Sequence, residues 1–540
     1  MDTIVLNANI VTMNSLALRA QALAIVAGRV AALGSDDQIR ALAGPKTRVI
    51  DAGGRLVLPG FQDTHIHLQD SGQDYSQNVD LGDAATPDEL ADMLANFAKT
   101  HSRPWVNGTG WSAGDFGAHN LDRKLLDRAV PDRPCLIVAS DGHNACLNSK
   151  GCEAVGLVAG TPDPMNGHFV LDEEGEPTGL LYEDAVSWAE DQTPRPTDDD
   201  FIAGVKWAQK LANGFGLTGV QDPKVEERHA RVYRRMADAG DLTLRIAATA
   251  KVFPREELAE ALERLETMRR ENQTDMYRIH AAKFFLDGVI ENRTATMIEP
   301  YSDDIGGNAP LMFTPEQVLS YFPAFDAARF QLHVHVIGDG AARIAFDGVE
   351  AARRQNTDWP ALHQFAHIQC IDPADIPRFR QLGVVANVQP LWARAEPSVT
   401  EIAAPMIGPE RTKWMYAFRS MADAGAPMTL SSDWGVSTMN PFPIIETALT
   451  RQPPTKSGDY PAFLPEQRLT LAQCISGYTV QAAAAAWRSR DTGTLDPGKF
   501  ADLIILDRDI FTCDVYDIGD TEVLLTLLAG EEVHRSERFQ

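Results

Sequence analysis

The chain has 540 residues, of which 49 are Lys or Arg and 75 are Asp or Glu, so its formal net charge is −26. Hydrophobic residues make up 44% and charged residues 23%, an ordinary globular balance that excludes wholesale disorder. So acidic a surface repels phosphate backbones and anionic headgroups, which sets aside nucleic-acid and membrane-surface partners. The six cysteines have no CxxC spacing and read neither as a disulfide framework nor as a thiolate zinc site. Without a basic-then-apolar leader or an apolar run of about 18 residues, the expectation is a cytoplasmic protein.

In chain order, the first sixty residues read as short strands separated by turns. Ile4-Val5-Leu6, the run 22–26 and the run 29–33 are β-rich, with Ala27-Gly28 as a turn between the last two. The last fifty residues repeat the style, at Ala501-Asp502-Leu503-Ile504-Ile505-Leu506 and 523–528. Two β-rich ends around a long middle predict one small β-sandwich assembled from both termini, over 1–58 and 485–540.

The middle alternates. Apolar β-like runs fall at 60–67, 217–221, 244–250, 279–286, 332–337, 364–369, 384–389 and 428–432, with helical stretches between the later ones. Eight such runs predict a (β/α)₈ barrel over 59–69 and 199–484 rather than an open sheet. Thr314-Pro315-Glu316-Gln317 marks one helix start as a capping box with proline at its first position. Between the first and second runs lie roughly 150 residues, far more than a crossover needs. Within this stretch, 70–198 has its own helix start at Thr86-Pro87 and its own strand candidates at 105–108 and 136–139. It is predicted to be an inserted α/β subdomain over the mouth of the barrel.

Chemistry-bearing residues cluster at the ends of those runs. His65 and His67, two apart on an expected strand, project to one side and suit a divalent metal such as zinc. His333 and His335, His367 and Asp433 follow at later strand ends. Each alone is more often a satisfied core or surface group; the shared placement is what points to a metal. Lys283, inside the apolar run Ala281-Ala282-Lys283-Phe284-Phe285-Leu286, is the least expected. Snorkelling or an ion pair is one account. The other is that burial lowers its pKa, so that the neutral amine takes up CO₂ and becomes a carbamate able to bridge two metals.

These residues stand in motifs. The sequence resembles the metal-dependent amidohydrolase superfamily, and within it amidohydrolase family 3, the YtcJ-like branch. The resemblance is carried by Pro59-Gly60-Phe61-Gln62-Asp63-Thr64-His65-Ile66-His67, Lys283-Phe284-Phe285-Leu286-Asp287-Gly288, His333-Val334-His335-Val336-Ile337-Gly338-Asp339, Ala366-His367 and Ser432-Asp433. Asp141-Gly142-His143 in the insert and 493–502 in the tail match as well. The resemblance implies zinc, two ions bridged by carboxylated Lys283, with a single metal as the alternative. His65 and His67 would hold the more buried ion and His335 and His367 the second. Asp433 would ligate the first and act as general base, while His333 lies deeper and outside the ligand set. It further implies hydrolysis of a non-peptide C–N bond by a metal-bound hydroxide, with Asp433 passing the proton to the leaving nitrogen.

His143 is the candidate partner of the substrate carbonyl, with a surface loop histidine as the plainer reading. Trp111, Arg293 and Trp434 are candidate substrate contacts: apolar walls or core for the tryptophans, a carboxylate partner or a solvent ion pair for the arginine. The expected partner is a small N-substituted amide, and a homodimer is left open. Hydrolytic deamination, opening of a cyclic amide, and a non-catalytic regulatory role on the same fold are the alternatives. Gly110-Trp111-Ser112-Ala113-Gly114 matches a serine-hydrolase elbow, but no apolar helix follows the serine as that motif requires.

Overall fold

The computed structural model describes all residues except 16–17, 112–120, 140–143, 165–166, 455–459 and 540. It divides into two compact units, Met1–Leu68 with Ala208–Gln540, and Gln69–Trp207.

In the first unit, eight parallel strands form one sheet: β1 (Phe61–Asp63), β2 (Leu217–Val225), β3 (Arg245–Lys251), β4 (Tyr277–Phe285), β5 (Gln331–Val336), β6 (Gln364–His367), β7 (Val385–Val388) and β8 (Met428–Leu430). Neighbours in the sheet are neighbours in sequence, and helices such as Glu227–Ala239, Leu258–Glu271, Pro315–Ala327 and Asp339–Gln355 connect them. This is the predicted TIM-like barrel. Its strands read as apolar runs because both faces of a parallel sheet are covered. Beyond their ends, β1 and β8 are tied by two backbone bonds, from Asp433 N to the His65 carbonyl (2.8 Å) and from His67 N to the Trp434 carbonyl (2.9 Å). Thr314 caps its helix as read from the sequence, accepting from Gln317 N while the Gln317 side chain accepts from Thr314 N.

The termini form two further sheets. Four N-terminal strands make the first, and the second sets Leu56–Pro59, Asn9–Val11 and Arg19–Ala20 beside Leu503–Leu506, Val523–Leu528 and Glu531–Arg535, joined where Leu56–Pro59 pairs with Leu503–Leu506. Val5, Leu23, Ile25 and Val57 share one core with Leu503, Ile505, Leu525 and Leu527, which gives the predicted sandwich from both ends of the chain. A buried bidentate pair joins it to the barrel: Arg245 on β3 donates Nε and Nη2 to Asp502 at 2.9 and 3.1 Å.

The second unit is built on a six-stranded mixed sheet containing the expected strands, as Val106–Trp111 and Cys135–Ala139. Three more, Asn144–Leu147, Gly167–Leu171 and Pro177–Glu183, pair antiparallel beside them. Thr86 caps the helix Pro87–Thr100 as anticipated. Trp111 is fully buried in the core of this unit, with Val79, Leu81 and Leu126. No described helix is long and apolar enough to cross a membrane, and no described cysteine is in a disulfide.

Candidate metal centre

Strand β1 is shorter than its sequence pattern suggests. It ends at Asp63, and His65 and His67 stand on the irregular segment that follows. The cause is Asp63 itself. Its buried carboxylate accepts from His65 N at 3.0 Å and from Ser432 N at 3.1 Å, drawing the β1 and β8 loops together. Burial pushes the Asp63 pKa up to about 7 against those stabilising bonds. The two imidazoles still lie side by side, ring centroids 5.7 Å apart.

Around them the C-terminal strand ends converge. Asp433 Oδ1 lies 3.2 Å from His67 Nε2 and 3.6 Å from His65 Nε2, and Asp433 Oδ2 lies 3.8 Å from His367 Nδ1. His65, His367 and Asp433 are all buried, and each offers a ligand atom within 4.8 Å of the others. The His335 ring is 4.4 Å from that of His367. His367 (φ 79°) and Asp433 (φ 51°) occupy the left-handed region, which disfavours residues with a Cβ. Two such residues at the ends of β6 and β8 are backbone strain held where side chains must be aimed.

Electrostatics agrees with a set of neutral donors. Burial drives the pKa values of His65, His333 and His367 well below the usual imidazole value and that of His335 to about 4. Neutral imidazole is the form that ligates metals. Lys283, on β4, is fully buried, and its Nζ makes no hydrogen bond among the described residues. The Phe285 ring centroid lies 4.5 Å from it, and Asp433 is close enough to act on its charge. Burial lowers its pKa to about 7, so a large share is neutral amine at physiological pH.

The residues therefore fit a divalent metal. Asp433 Oδ1 is buried without a hydrogen bond despite its close imidazole nitrogens, and the imidazoles of His65, His67, His335 and His367, a carboxylate and an amine without a hydrogen bond among the described residues share one end of the barrel. Such a nitrogen–oxygen donor set suits a divalent transition metal.

Three motif residues outside the expected ligand set hold this arrangement: His333, placed deeper by the sequence reading, and Asp63 and Asp287, which that reading did not single out. His333 Nε2 is 2.9 Å from His65 Nδ1, so the deeper histidine touches a candidate ligand directly. Asp287, after β4, accepts from Ile337 N, Gly338 N and Thr296 N, fixing the loop that leaves β5. Asp63 does the same for β1 and β8. All three lie within motif blocks, but a carboxylate that accepts backbone amides has no spacing signature.

Of the remaining candidates, Arg293 donates to the Gly306 carbonyl (3.1 Å) and is ion-paired with Asp303. Trp434 follows Asp433 and is buried. His143 and Ser112 lie outside the described residues.

Comparison with known proteins bears on the family and the fold. The sequence profile described as "Amidohydrolase family" matches residues 48–534. The chain is 28% identical to Protein LONG AFTER FAR-RED 3 of Arabidopsis thaliana, covering 99% of this chain and 91% of that one. It is 28% identical to the N-substituted formamide deformylase of Arthrobacter pascens over 99% and 98% of the two chains. The putative amidohydrolase YtcJ of Bacillus subtilis is 26% identical over 96% of each. In fold it is similar to an uncharacterized metal-dependent hydrolase of Pyrococcus horikoshii, with a TM-score of 0.76 at 24% identity over 95% of this chain and 99% of that one. By the extent of the profile match, the chain belongs to the amidohydrolase family.

Proposed function

We propose that this protein is a zinc-dependent hydrolase of a small N-substituted amide, such as an N-acyl amine or N-acyl amino acid. The observation that carries the reading is the approach of His65, His67 and His367 to Asp433, beside the buried, unpaired Lys283. The full-length similarity to an N-substituted formamide deformylase supports the choice of amide over other C–N bonds. His65, His67 and Asp433 would hold one ion, and His335 and His367 the other. Carboxylated Lys283 would bridge the two: its neutral amine adds to CO₂, forming an N–C bond and releasing one proton.

Bound metal would supply a water nucleophile usable at neutral pH and polarise the scissile carbonyl. The chain's own residues supply the rest. Asp433 takes the proton of the attacking water and delivers it to the departing nitrogen, which cannot leave as an anion. Asp63 and Asp287 hold the backbones of the β1, β5 and β8 loops, so the donors are aimed before substrate arrives. His143 is proposed as a hydrogen-bond partner of the carbonyl oxygen.

A panel of N-formyl, N-acetyl and cyclic amides, assayed with and without a zinc chelator, tests this reading. An open-chain N-substituted amide should be the best substrate, and chelation should abolish turnover, with zinc restoring it. Turnover unaffected by chelation would contradict it and would favour the serine reading of Gly110-Trp111-Ser112-Ala113-Gly114.

A further inference from the structure

We infer that Gln389 is a positioning residue, which sets the ring nitrogen of His367 that carries the proton and therefore the one left with a lone pair. The inference rests on the metal-site reading above. It follows from a directed chain of hydrogen bonds inside the barrel, and the direction comes from a backbone carbonyl.

The Thr64 carbonyl, one residue before His65, can only accept. Asn387 on β7 approaches it at 3.0 Å, so the facing atom must be Nδ2. The same nitrogen donates to Gln364 Oε1 at 3.1 Å. Turning the amide over would set its oxygen against two acceptors. Asn387 Oδ1 is thereby pointed at Ser431 and accepts its hydroxyl proton at 2.7 Å. A hydroxyl has one proton to give, so Ser431 Oγ receives from its other close neighbour, Gln389 Nε2, also at 2.7 Å. With its NH₂ committed, Gln389 presents Oε1 to His367 Nδ1 at 3.1 Å. That oxygen can only accept, so Nδ1 bears the proton and Nε2 keeps the lone pair. The other nearby acceptor, Asp433 Oδ2, is too far at 3.8 Å to compete.

Asn387, Ser431 and Gln389 are all buried, which makes a wrong orientation costly. His335 needs no such relay, because its Nε2 lies 3.2 Å from the Gly288 carbonyl, which assigns its proton in one step. Among the described residues, the His367 ring is hydrogen-bonded to the Gln389 side chain and not to a backbone carbonyl. Its tautomer is fixed instead by the segment after β1 that carries the His65–His67 motif, acting through residues on or just after β7 and β8.

The direct test is ¹⁵N NMR of the metal-free, full-length protein with ¹⁵N-labelled histidine, the His367 signals being assigned by their loss in His367→Asn. His367 should show a protonated Nδ1 and an unprotonated Nε2, and Gln389→Leu should remove that preference. Zn²⁺ affinity, measured by competition with a chromogenic chelator, should fall about 10- to 100-fold at one site in Gln389→Leu. Gln389→Glu, which keeps an acceptor facing Nδ1, should recover most of the loss, as a purely structural role would not. A protonated Nε2 in the wild type, wild-type Zn²⁺ affinity in Gln389→Leu, or no rescue by Gln389→Glu would each overturn the inference. If Gln389→Leu does not fold, the wild-type tautomer decides alone. A wild-type protein that binds no Zn²⁺ would sink the metal-site reading, while the tautomer measurement would still decide the role of Gln389.

Discussion

Replacing Asp433 by Asn is expected to lower kcat for amide hydrolysis by about 10²- to 10⁴-fold while leaving the fold intact. The fold should survive because Asn is isosteric and tolerates the left-handed backbone at this position (φ 51°), and because the bond from residue 433 N to the His65 carbonyl is a main-chain bond. Chemistry should not survive. A carboxamide can neither take a proton from water nor return one to a leaving nitrogen. Steady-state kinetics with parallel thermal melts separates the two effects: a large loss in kcat at unchanged Tm is the expected pair. Activity within tenfold of wild type would remove Asp433 from the proton path.

Lys283→Met is expected to act in two opposite directions. The carbamate would be lost, and with it the bridging ligand, so bound metal should fall from about two ions per chain to about one and turnover should fall with it. The metal-free protein, by contrast, should gain stability, because methionine fills the same volume without a buried amine that makes no hydrogen bond. The pH dependence carries the signature. Lys283 has a folded pKa of about 7 against a reference value of 10.5. Between these values the unfolded chain binds the proton and the folded chain does not. The penalty is therefore full below pH 7 and is relieved as pH rises toward 10.5. Urea titrations of the metal-free protein should show wild-type stability rising across that window by several kcal/mol, and the rise should be missing in Lys283→Met. Parallel profiles for the two proteins would mean that Lys283 is not buried as an isolated amine.

The barrel was legible because its physics leaves a one-dimensional trace. Strands covered on both faces become apolar runs, and residues that break such a run, as Lys283 and the pair His333 and His335 do, stand out. The ends of those runs located the candidate ligands. What sequence could not give was the local geometry that aims them. The end of β1 at Asp63 depends on a carboxylate meeting amides of β8, some 370 residues away, and no window contains both. Gln389 sits in Val384-Val385-Ala386-Asn387-Val388-Gln389 as one more polar residue at a strand end. Its meaning comes from Thr64 and Ser431, which are close only once the barrel closes. Gly167–Leu171 and Pro177–Glu183 leave no comparable trace, because exposed, glycine and proline positions interrupt their apolar residues and only antiparallel pairing makes them strands.

The central claim is that six side chains at the strand ends form one dinuclear centre. Elemental analysis of the purified full-length protein tests it most directly, by metal equivalents per chain after removal of loosely bound ions. The account predicts about two equivalents of zinc or a similar divalent ion, released together with activity by chelation and restored with it. A chain that hydrolyses its amide at full rate with no tightly bound metal would contradict it.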